Sequence, residues 1–216
     1  AIAGIGGRFK AGTPDEIAVQ EEINTYKGVH RIIRHAFEYA KANGLTRVCM
    51  ADKSNAMQQG HALWQRVYKE VAAEYPGITA LHQYIDALAM FLVKDPGQYQ
   101  VIVTNNLFGD IVTDIGGALQ GGLGMAASGN LHPGKTSLFE PVHGSAPPLA
   151  GKNLANPMGA ILSTALMLET LGAVEEAKAV ERAVEAAIAQ NQTTGDIGGA
   201  LGTSEVGDWI AKRIQK

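Results

Sequence analysis

The chain has 216 residues, 46% of them hydrophobic and 18% charged, so it can bury a core and suits one large domain or two small ones. A formal net charge of −3 gives no basic field that would attract nucleic acid or an anionic membrane. The best candidate for a membrane span, 158–168, is about half the length that a bilayer requires and is typical of a buried helix. We therefore expect neither a nucleic-acid nor a membrane partner.

The single cysteine, Cys49, excludes an intrachain disulfide and fits a reducing, cytoplasmic compartment. It lies in the apolar run 48–50, which indicates a buried, inert thiol rather than a nucleophile. The first ten residues, AIAGIGGRFK, have no signal-peptide pattern. They also lack an initiator methionine and look like a sequence entered midway.

Segments with helical spacing of apolar residues alternate with short continuous apolar runs. In chain order the pattern predicts a glycine-rich, then polar start at 1–22, a helix at 27–42, a strand at 47–51, a helix at 62–75, a strand at 80–85, a helix at 86–93 capped by Asp86, a strand at 100–104, a helix at 110–119, a loop-rich segment at 127–157, and helices at 158–171, 173–190 and from about 204. This alternation predicts an α/β fold, with a sheet covered on both faces.

Asp110 and Asp114 are four residues apart in an apolar segment that must pack as a helix. This spacing places both carboxylates on one helix face, where like charges repel by a few tenths of a kcal/mol. They could form the solvated stripe of the helix, with Asp110 favoured near its N-terminus by the helix dipole. Alternatively, they could bind a divalent cation such as Mg²⁺, which prefers carboxylate oxygens. Spacing alone leaves both interpretations open.

Two more polar residues directly follow predicted strands. Lys53 comes after the strand at 47–51, and Asp86 comes after the strand at 80–85. In open α/β sheets, functional groups gather beyond the carboxyl ends of the strands. A lysine that is partly desolvated near cations can act as a base. Together with Asp110 and Asp114 these residues could form a metal-plus-base site, although a cap for Asp86 and a surface position for Lys53 remain alternatives.

The loop at 139–157 is rich in Gly, Ser and Asn and carries one histidine, His143. Small residues and free backbone N–H groups suit a nucleotide or a phosphate, and an ordinary turn-rich crossover is the alternative. The glycine-rich run 116–124 is not a well-formed dinucleotide-binding fingerprint, because it does not follow a strand as G-x-G-x-x-G. The remaining histidines have no metal-ligand spacing and are expected to be structural or solvent-facing: residues 30, 35, 61, 82 and 132.

These motifs resemble those of the β-decarboxylating dehydrogenases, a family that includes isopropylmalate, isocitrate, homoisocitrate and tartrate dehydrogenases. The segment 106–125, NLFGDIVTDIGGALQGGLGM, is similar to the family signature. The segments ADKSNAM, YIDALAMFLVKDP, FEPVHGSAP, AGKNLANP and TTGDIGGALGT follow the expected order. The resemblance covers essentially the whole chain, and HGSAP at 143–147 is closest to the isopropylmalate dehydrogenase version.

The resemblance implies a fold, a reaction and roles for residues. The fold would be a small dimer-forming α/β domain at 1–120, which binds substrate and metal, and the C-terminal half of the large NAD-binding domain at 121–216. The reaction would be the oxidative decarboxylation of a 2-hydroxy acid bearing a 3-carboxylate, most simply 3-isopropylmalate in leucine biosynthesis. Lys53 and Asp86 would be catalytic, and Mg²⁺ or Mn²⁺ would be bound by Asp86, Asp110 and Asp114. The adenosine half of NAD would be bound by His143, Gly144, Ser145, Ala146, Pro147 and Asn156.

The resemblance also implies a homodimer with a shared active site, in which Lys53 and Asp86 come from the neighbouring subunit. The sequence departs from the family pattern in three ways. The resemblance reaches only the C-terminal part of the family's sequence, so the N-terminal half of the large domain, with its substrate-binding arginines, is expected to be missing. The family's catalytic tyrosine would fall near Ile2. The aspartate that usually follows Ser-Ala-Pro in NAD-dependent members is Pro148. Isocitrate, homoisocitrate or tartrate remain alternative substrates, and a truncated non-catalytic regulatory or assembly subunit is the alternative from another class.

Overall fold

A computed structural model describes residues 6–132 and 134–214. The chain divides into two compact units, Ala1–Thr113 and Asp114–Lys216. The sequence-based boundary lies a few residues later, after 120, at the end of the helix that carries both aspartates. Ile2, near the expected place of a catalytic tyrosine, lies outside the described residues.

A three-stranded parallel sheet forms the centre of the first unit, as expected for an α/β fold. Its strands are β3 (Arg47–Asp52), β4 (Thr79–Tyr84) and β5 (Val101–Val103), in the order β4-β3-β5. The central β3 is buried along almost its whole length. The expectation of a sheet covered on both faces is wrong for β4, which lies at the edge and is largely exposed in this chain. Its sequence TALHQY mixes apolar and polar residues, as an edge strand tolerates.

Four helices accompany this sheet: α1 (Tyr26–Ala42), α2 (Gln58–Ala72), α3 (Ile85–Lys94) and α4 (Asn106–Leu119). The apolar stripe of α1 is buried, and Thr25 caps its N-terminus by accepting the N–H of Gly28 at 3.2 Å. Side chains of α1, α2 and β3 share one hydrophobic core.

Several element boundaries differ from the sequence-based ones. A short antiparallel hairpin, β1 (Gly6–Phe9) and β2 (Ile17–Gln20), lies in the glycine-rich, then polar start, where no strand was predicted. Both strands are exposed along their length, so they show no buried alternation that a pattern could reveal. Helices α2 and α4 each begin four residues earlier than predicted. The predicted capping role of Asp86 is wrong, because Tyr84 occupies the cap position and Asp86 lies in the first turn.

The second unit contains a short antiparallel pair, β6 (Ala127–Asn130) and β7 (Leu138–Pro141), within the predicted loop-rich segment. Three helices follow: α5 (Met158–Thr170), α6 (Val174–Ala189) and α7 (Thr203–Ile214), close to their predicted bounds. Their apolar faces pack into a separate hydrophobic core. Among the described residues, no helix has the length and apolar character needed to cross a bilayer.

Candidate active site

The strand exits of the parallel sheet lie at one edge and bring predicted site residues together. Asp52 and Tyr84 are the last paired residues of β3 and β4. Lys53 and Asp86 therefore lie next to each other just beyond the ends of these two strands. At the end of β5, the hydroxyl of Thr104 donates a hydrogen bond to the backbone of β3 at 2.7 Å, and α4 begins two residues later. This edge is the place where the sequence predicted functional groups to gather.

Lys53 and Asp86 form a close ion pair, with 2.5 Å between Nζ and Oδ1. The lysine side chain is 27% exposed and the aspartate 65% exposed, so the pair sits at the surface of the isolated chain. The hydrogen bond from Lys53 lowers the pKa of Asp86 below its usual value. The ammonium also lies 6.0 Å from the centre of the Tyr84 ring, within the range of a cation–π contact. Of the predicted site residues, these two are joined directly.

The backbone of Lys53 is fixed on both sides. Its N–H donates to Nδ1 of His61 at 2.8 Å, and its carbonyl accepts the N–H groups of Ala56 and Met57 at 2.9 and 2.8 Å. His61 is buried, and its ring packs edge-on against Phe108 with 5.7 Å between centroids. The expectation of a structural role for His61 is consistent with this geometry, but its contact with the lysine was not foreseen.

Asp52, the residue before Lys53, is buried with 1% of its surface exposed. His82 lies 3.0 Å from its Oδ1, the N–H and hydroxyl of Ser54 donate to the same oxygen, and Gln65 donates to Oδ2 at 2.7 Å. Burial alone would raise the pKa of Asp52, but the hydrogen bonds from His82, Ser54 and Gln65 outweigh it, so the pKa is lowered. The carboxylate is thus held ionised beneath the turn that carries the lysine.

Asp110 and Asp114 lie one turn apart on α4, and both are exposed. Asp110 accepts a hydrogen bond from Nδ2 of Asn106 at 3.3 Å. Within residues 6–132 and 134–214, neither carboxylate forms an ion pair with a lysine or arginine. Two unpaired carboxylates on one helix face are a donor set that suits a hard divalent cation. Over the same described range, however, no three His, Cys, Asp or Glu side chains of this chain gather closely enough to hold a metal ion.

The segment between β7 and α5 carries the residues predicted to bind NAD. His143 is half-buried and its Nδ1 donates to the carbonyl of Gly144 at 2.8 Å, whereas residues 144–147 are exposed. Ala146 has φ of 41° and ψ of 61°, in the left-handed region that costs a non-glycine residue about 1–2 kcal/mol. Small exposed residues with a strained backbone fit a loop shaped for a ligand.

Two asparagines fix the C-terminal part of this loop. Asn153 joins it to the start of α7, because its side chain accepts the N–H of Ser204 at 2.9 Å and donates to Glu205 at 3.0 Å. Asn156 is 7% exposed; it donates to Asp196 at 3.1 Å and accepts the N–H of Met158 at 3.0 Å. The side-chain amide of Asn156 is therefore held in place by hydrogen bonds within the protein.

Three residues near Lys53 were not singled out from the sequence: Asp52, His82 and Glu22. The sequence contains only a weak indication of their role. Asp52 lies at the end of an apolar strand, and this position marks it as a buried polar group. His82 and Glu22 reach the site through contacts that span many residues of sequence, which no local pattern reveals.

Comparison with known proteins places this geometry in a family. A family model described as isocitrate/isopropylmalate dehydrogenase matches residues 4–210. The chain belongs to the isocitrate/isopropylmalate dehydrogenase family. The α/β fold expected from the resemblance is confirmed, and so is the similarity to 3-isopropylmalate dehydrogenases.

Curated relatives in the family include 3-isopropylmalate dehydrogenases from Thermobifida fusca, 44% identical over 98% of this chain, and from Corynebacterium efficiens, 47% identical over 99%. The chain spans 60% and 62% of their lengths. Among solved structures, isocitrate dehydrogenase from Methylococcus capsulatus is 35% identical with a TM-score of 0.90, covering 99% of this chain and 65% of that one. A β-decarboxylating dehydrogenase from Thermococcus kodakarensis is 37% identical with a TM-score of 0.84, covering 98% of this chain and 60% of that one.

Proposed function

We propose that this chain is part of a metal-dependent, NAD-dependent dehydrogenase that oxidises and decarboxylates 3-isopropylmalate in leucine biosynthesis. The observation that carries the proposal is the Lys53–Asp86 pair, held 2.5 Å apart at the carboxyl edge of the sheet. Relatives of the chain that are named 3-isopropylmalate dehydrogenase support the choice of substrate.

Lys53 is the proposed base. For this step the amine of Lys53 must first release its own proton to solvent. As hydride then leaves the substrate's hydroxyl-bearing carbon for NAD, the hydroxyl proton passes to the neutral Nζ of Lys53, or through it to solvent, and a ketone remains. The backbone of Lys53 donates a hydrogen bond to His61 and accepts hydrogen bonds from Ala56 and Met57, and these contacts restrict the position of Nζ during this transfer. The 3-carboxylate then leaves as CO₂, and a proton replaces it on the same carbon.

Asp86, Asp110 and Asp114 are the proposed ligands of Mg²⁺ or Mn²⁺. Their hard oxygen donors fit such an ion, and the exposure of all three leaves them accessible to substrate and to a second chain. When bound, the cation supplies a Lewis acid for the hydroxyl and carboxylate oxygens of the substrate. We propose that Lys53 and Asp86 of one subunit complete a site with Asp110 and Asp114 of the other, since one chain alone does not gather three ligands among its described residues.

The loop containing His143, Gly144, Ser145, Ala146, Pro147 and Asn156 is the proposed binding site for the adenosine half of NAD. Exposed small residues and the half-buried imidazole of His143 fit a flat base and a ribose. NAD accepts the hydride in the overall reaction. Pro148 offers no carboxylate that could bind the ribose hydroxyls of NAD. It also offers no cation that could bind the 2′-phosphate of NADP, and for this reason we propose NAD rather than NADP.

A homodimer completes the proposal. Large apolar side chains remain exposed on the hairpin and on α3: Phe9 is 60% exposed, Ile17 55%, Met90 56% and Val93 64%. Exposed apolar groups of this density mark surfaces that associate with a partner. The buried single cysteine is compatible with the cytoplasmic compartment that we propose. Sedimentation of the purified protein tests the dimer.

The deciding experiment uses the full-length protein, purified with Mn²⁺ and NAD. We expect NADH formation with 3-isopropylmalate, and loss of turnover by at least about 100-fold in Lys53→Met and Asp110→Asn variants. Substrate binding should be retained in Lys53→Met and weakened in Asp110→Asn, because the second variant removes a proposed ligand of the cation. Lys41→Met, which removes an exposed lysine in the last turn of α1, is the matched control. Full turnover by Lys53→Met would contradict the assignment of the base.

A second candidate substrate is isocitrate or one of its homologues, since a solved structure with a TM-score of 0.90 is named isocitrate dehydrogenase. Parallel assays with 3-isopropylmalate, isocitrate, homoisocitrate and tartrate separate these activities. A regulatory or assembly subunit is the alternative from another class. It would form the dimer and show no turnover with any of the four substrates, whereas an enzyme would favour one of them.

A further inference from the structure

Glu22 contacts two parts of the first unit that carry different residues of the proposed site. Its Oε1 accepts a hydrogen bond from Nδ2 of Asn105 at 2.8 Å, and its Oε2 lies 3.5 Å from Nε2 of His61. The Glu22 side chain is 33% exposed, whereas the His61 side chain is 2% exposed. Glu22 therefore lies between a residue that precedes α4 and a residue that holds the backbone of Lys53.

The orientation of His61 follows from its partners. The N–H of Lys53 is a fixed donor, so Nδ1 of His61 must be an acceptor and carries no proton. The proton of the ring is then on Nε2, the atom that faces Glu22. Nε2 is buried and makes no hydrogen bond among the described residues, and Glu22 is its nearest acidic partner. A carboxylate at this position stabilises the tautomer that Lys53 requires.

Asn105 gives Glu22 its second connection. The side-chain oxygen of Asn105 accepts the N–H of Phe108 at 3.0 Å, which satisfies a donor in the first turn of α4. Its amide nitrogen donates to Glu22, so the carboxylate fixes which way the amide points. Helix α4 carries Asp110 one turn later.

The segment around Glu22 is itself held against α2. The indole N–H of Trp64 donates to Oδ1 of Asn24 at 2.8 Å. At Gly60 an added methyl group would approach Nδ2 of Asn24 to 2.7 Å and Oε2 of Glu22 to 3.8 Å. An alanine at this position would push the side chain of Asn24 aside, so Gly60 leaves room for the polar side chains of this segment beside α2.

We propose that Glu22 is a positioning residue for the active site: through His61 it fixes the backbone of Lys53, and through Asn105 it fixes the start of the helix that carries Asp110. This inference rests on the proposed function for the roles of Lys53 and Asp110. Glu22 need not touch the substrate, since it acts through the two residues that it contacts.

The first test is spectroscopic and needs no activity. Two-dimensional ¹H–¹⁵N spectra of the histidine rings in the wild-type chain are expected to show His61 as the neutral tautomer protonated on Nε2. In Glu22→Ala the amide of Lys53 is expected to exchange with solvent roughly tenfold faster, because its acceptor is less firmly held. Glu21→Ala, which removes the neighbouring exposed carboxylate, is the control and should leave the exchange unchanged. A His61 protonated on Nδ1 in the wild type would overturn the proposal.

The second test is kinetic and uses the full-length enzyme. Glu22→Ala is expected to lower kcat by roughly tenfold with little change in KM for NAD, as for other residues that orient catalytic groups. Glu22→Gln keeps an oxygen acceptor and should restore part of the rate. At His61, Asn can present an acceptor near the position of Nδ1 and Gln a donor near the position of Nε2, so His61→Asn should retain more activity than His61→Gln.

The outcomes separate this proposal from the proposed function. If Lys53→Met is inactive and Glu22→Ala matches Glu21→Ala, the positioning role fails and the base assignment stands. If Lys53→Met is fully active, the base assignment fails, and the spectra of His61 and the exchange of the Lys53 amide still decide whether Glu22 holds that backbone. If Glu22→Ala does not fold, the same comparisons are made with Glu22→Gln, and a variant equal to wild type in both exchange and kcat contradicts the role of the charge.

Discussion

The ammonium of Lys53 lies 2.5 Å from a carboxylate oxygen of Asp86, and the contact joins residues that follow two neighbouring parallel strands. The two residues are far apart in sequence, but the pairing of Asp52 with Tyr84 brings their strands to an end at the same level. The ion pair is therefore a product of strand register, and its electrostatic consequences can be tested directly.

Replacing Lys53 should raise the pKa of Asp86 toward the usual value of an aspartate. The hydrogen bond from Lys53 lowers the pKa of Asp86 in the folded chain, so the pair contributes stability above the usual aspartate pKa and loses it as the pH falls through the folded value. In Lys53→Met we expect the pKa of Asp86 to rise toward the usual value, measured by carboxyl ¹³C NMR. The melting temperature should change little, because the carboxylate is 65% exposed. An unchanged titration midpoint would show that the pair does not persist in solution; Lys94→Met is the control.

Asp52 should make the first unit sensitive to acid. Its folded pKa is lowered, so its contribution is fully present above the usual aspartate pKa and is lost as the pH falls through the folded value. Asp52→Asn should destabilise the unit at pH 7 by about 1–3 kcal/mol, because it disrupts hydrogen bonds to a buried carboxylate. The difference from wild type should shrink below about pH 4.

Urea unfolding followed by Trp64 emission in a Trp209→Phe background measures this effect, since Trp64 lies in the same unit. Asp15→Asn, at a position exposed on the surface, serves as the control. A difference between Asp52→Asn and wild type that stays constant from pH 7 to pH 3 would rule out the lowered pKa.

Cys49 should be unreactive in the folded chain. Burial raises its pKa to about 11, so roughly one thiol in a thousand is ionised at pH 8, and the sulfur is also shielded from reagents. Iodoacetamide at pH 8 should leave the native protein unmodified for hours and alkylate it rapidly in urea, as measured by intact mass. Because the chain has one cysteine, the mass change is unambiguous. Rapid alkylation without denaturant would place the thiol at the surface.

Two glycines of the second unit should respond to alanine in opposite ways. An added methyl group at Gly199 would lie 2.0 Å from the carbonyl oxygen of Thr193, so Gly199→Ala should destabilise the unit by about 1–3 kcal/mol or more. At Gly207, inside α7, an added methyl group meets nothing within 4 Å. Gly207→Ala should therefore stabilise the unit by roughly 0.5–1 kcal/mol through helix propensity. Trp209 emission during urea unfolding, in a Trp64→Phe background, measures both changes. A Gly199→Ala variant as stable as the wild type would mean that the turn at 193–199 shifts to make room for the methyl group.

The elements that follow from the sequence are those whose apolar residues are buried on one face. The periodicity of α1 predicts its bounds to within one residue because its stripe packs into the core. Helix α4 begins at Asn106 rather than Asp110 because the side chain of Asn105 satisfies a donor of its first turn, a contact that periodicity cannot show. The hairpin β1–β2 carries no buried face and leaves no pattern to read.

The residues of the candidate site also differ in how far the sequence could predict them. Lys53 and Asp86 were recognisable because strand ends mark the functional edge of a parallel sheet, and their contact agrees with that rule. The metal and cofactor roles of Asp110, Asp114 and His143 stay predictions, since they depend on ligands and a second chain. Glu22 and His61 could not be selected from sequence, because their importance lies in contacts across 39 and 83 residues rather than in residue type.

The parallel register of β3 and β4 also restricts how this part of the chain can change in length during evolution. Inserting one residue within Thr79–Tyr84 would advance every later position by about 3.3 Å and exchange the two faces of the strand. The carboxylate of Asp86 would then miss the ammonium of Lys53. The turn at 73–78, which joins α2 to β4, lies outside the paired strands, so it can change in length without shifting the register as long as Tyr75 and Ile78 still pack against the core. Homologous chains should therefore vary in length at that turn while keeping the strand and the following aspartate in fixed spacing.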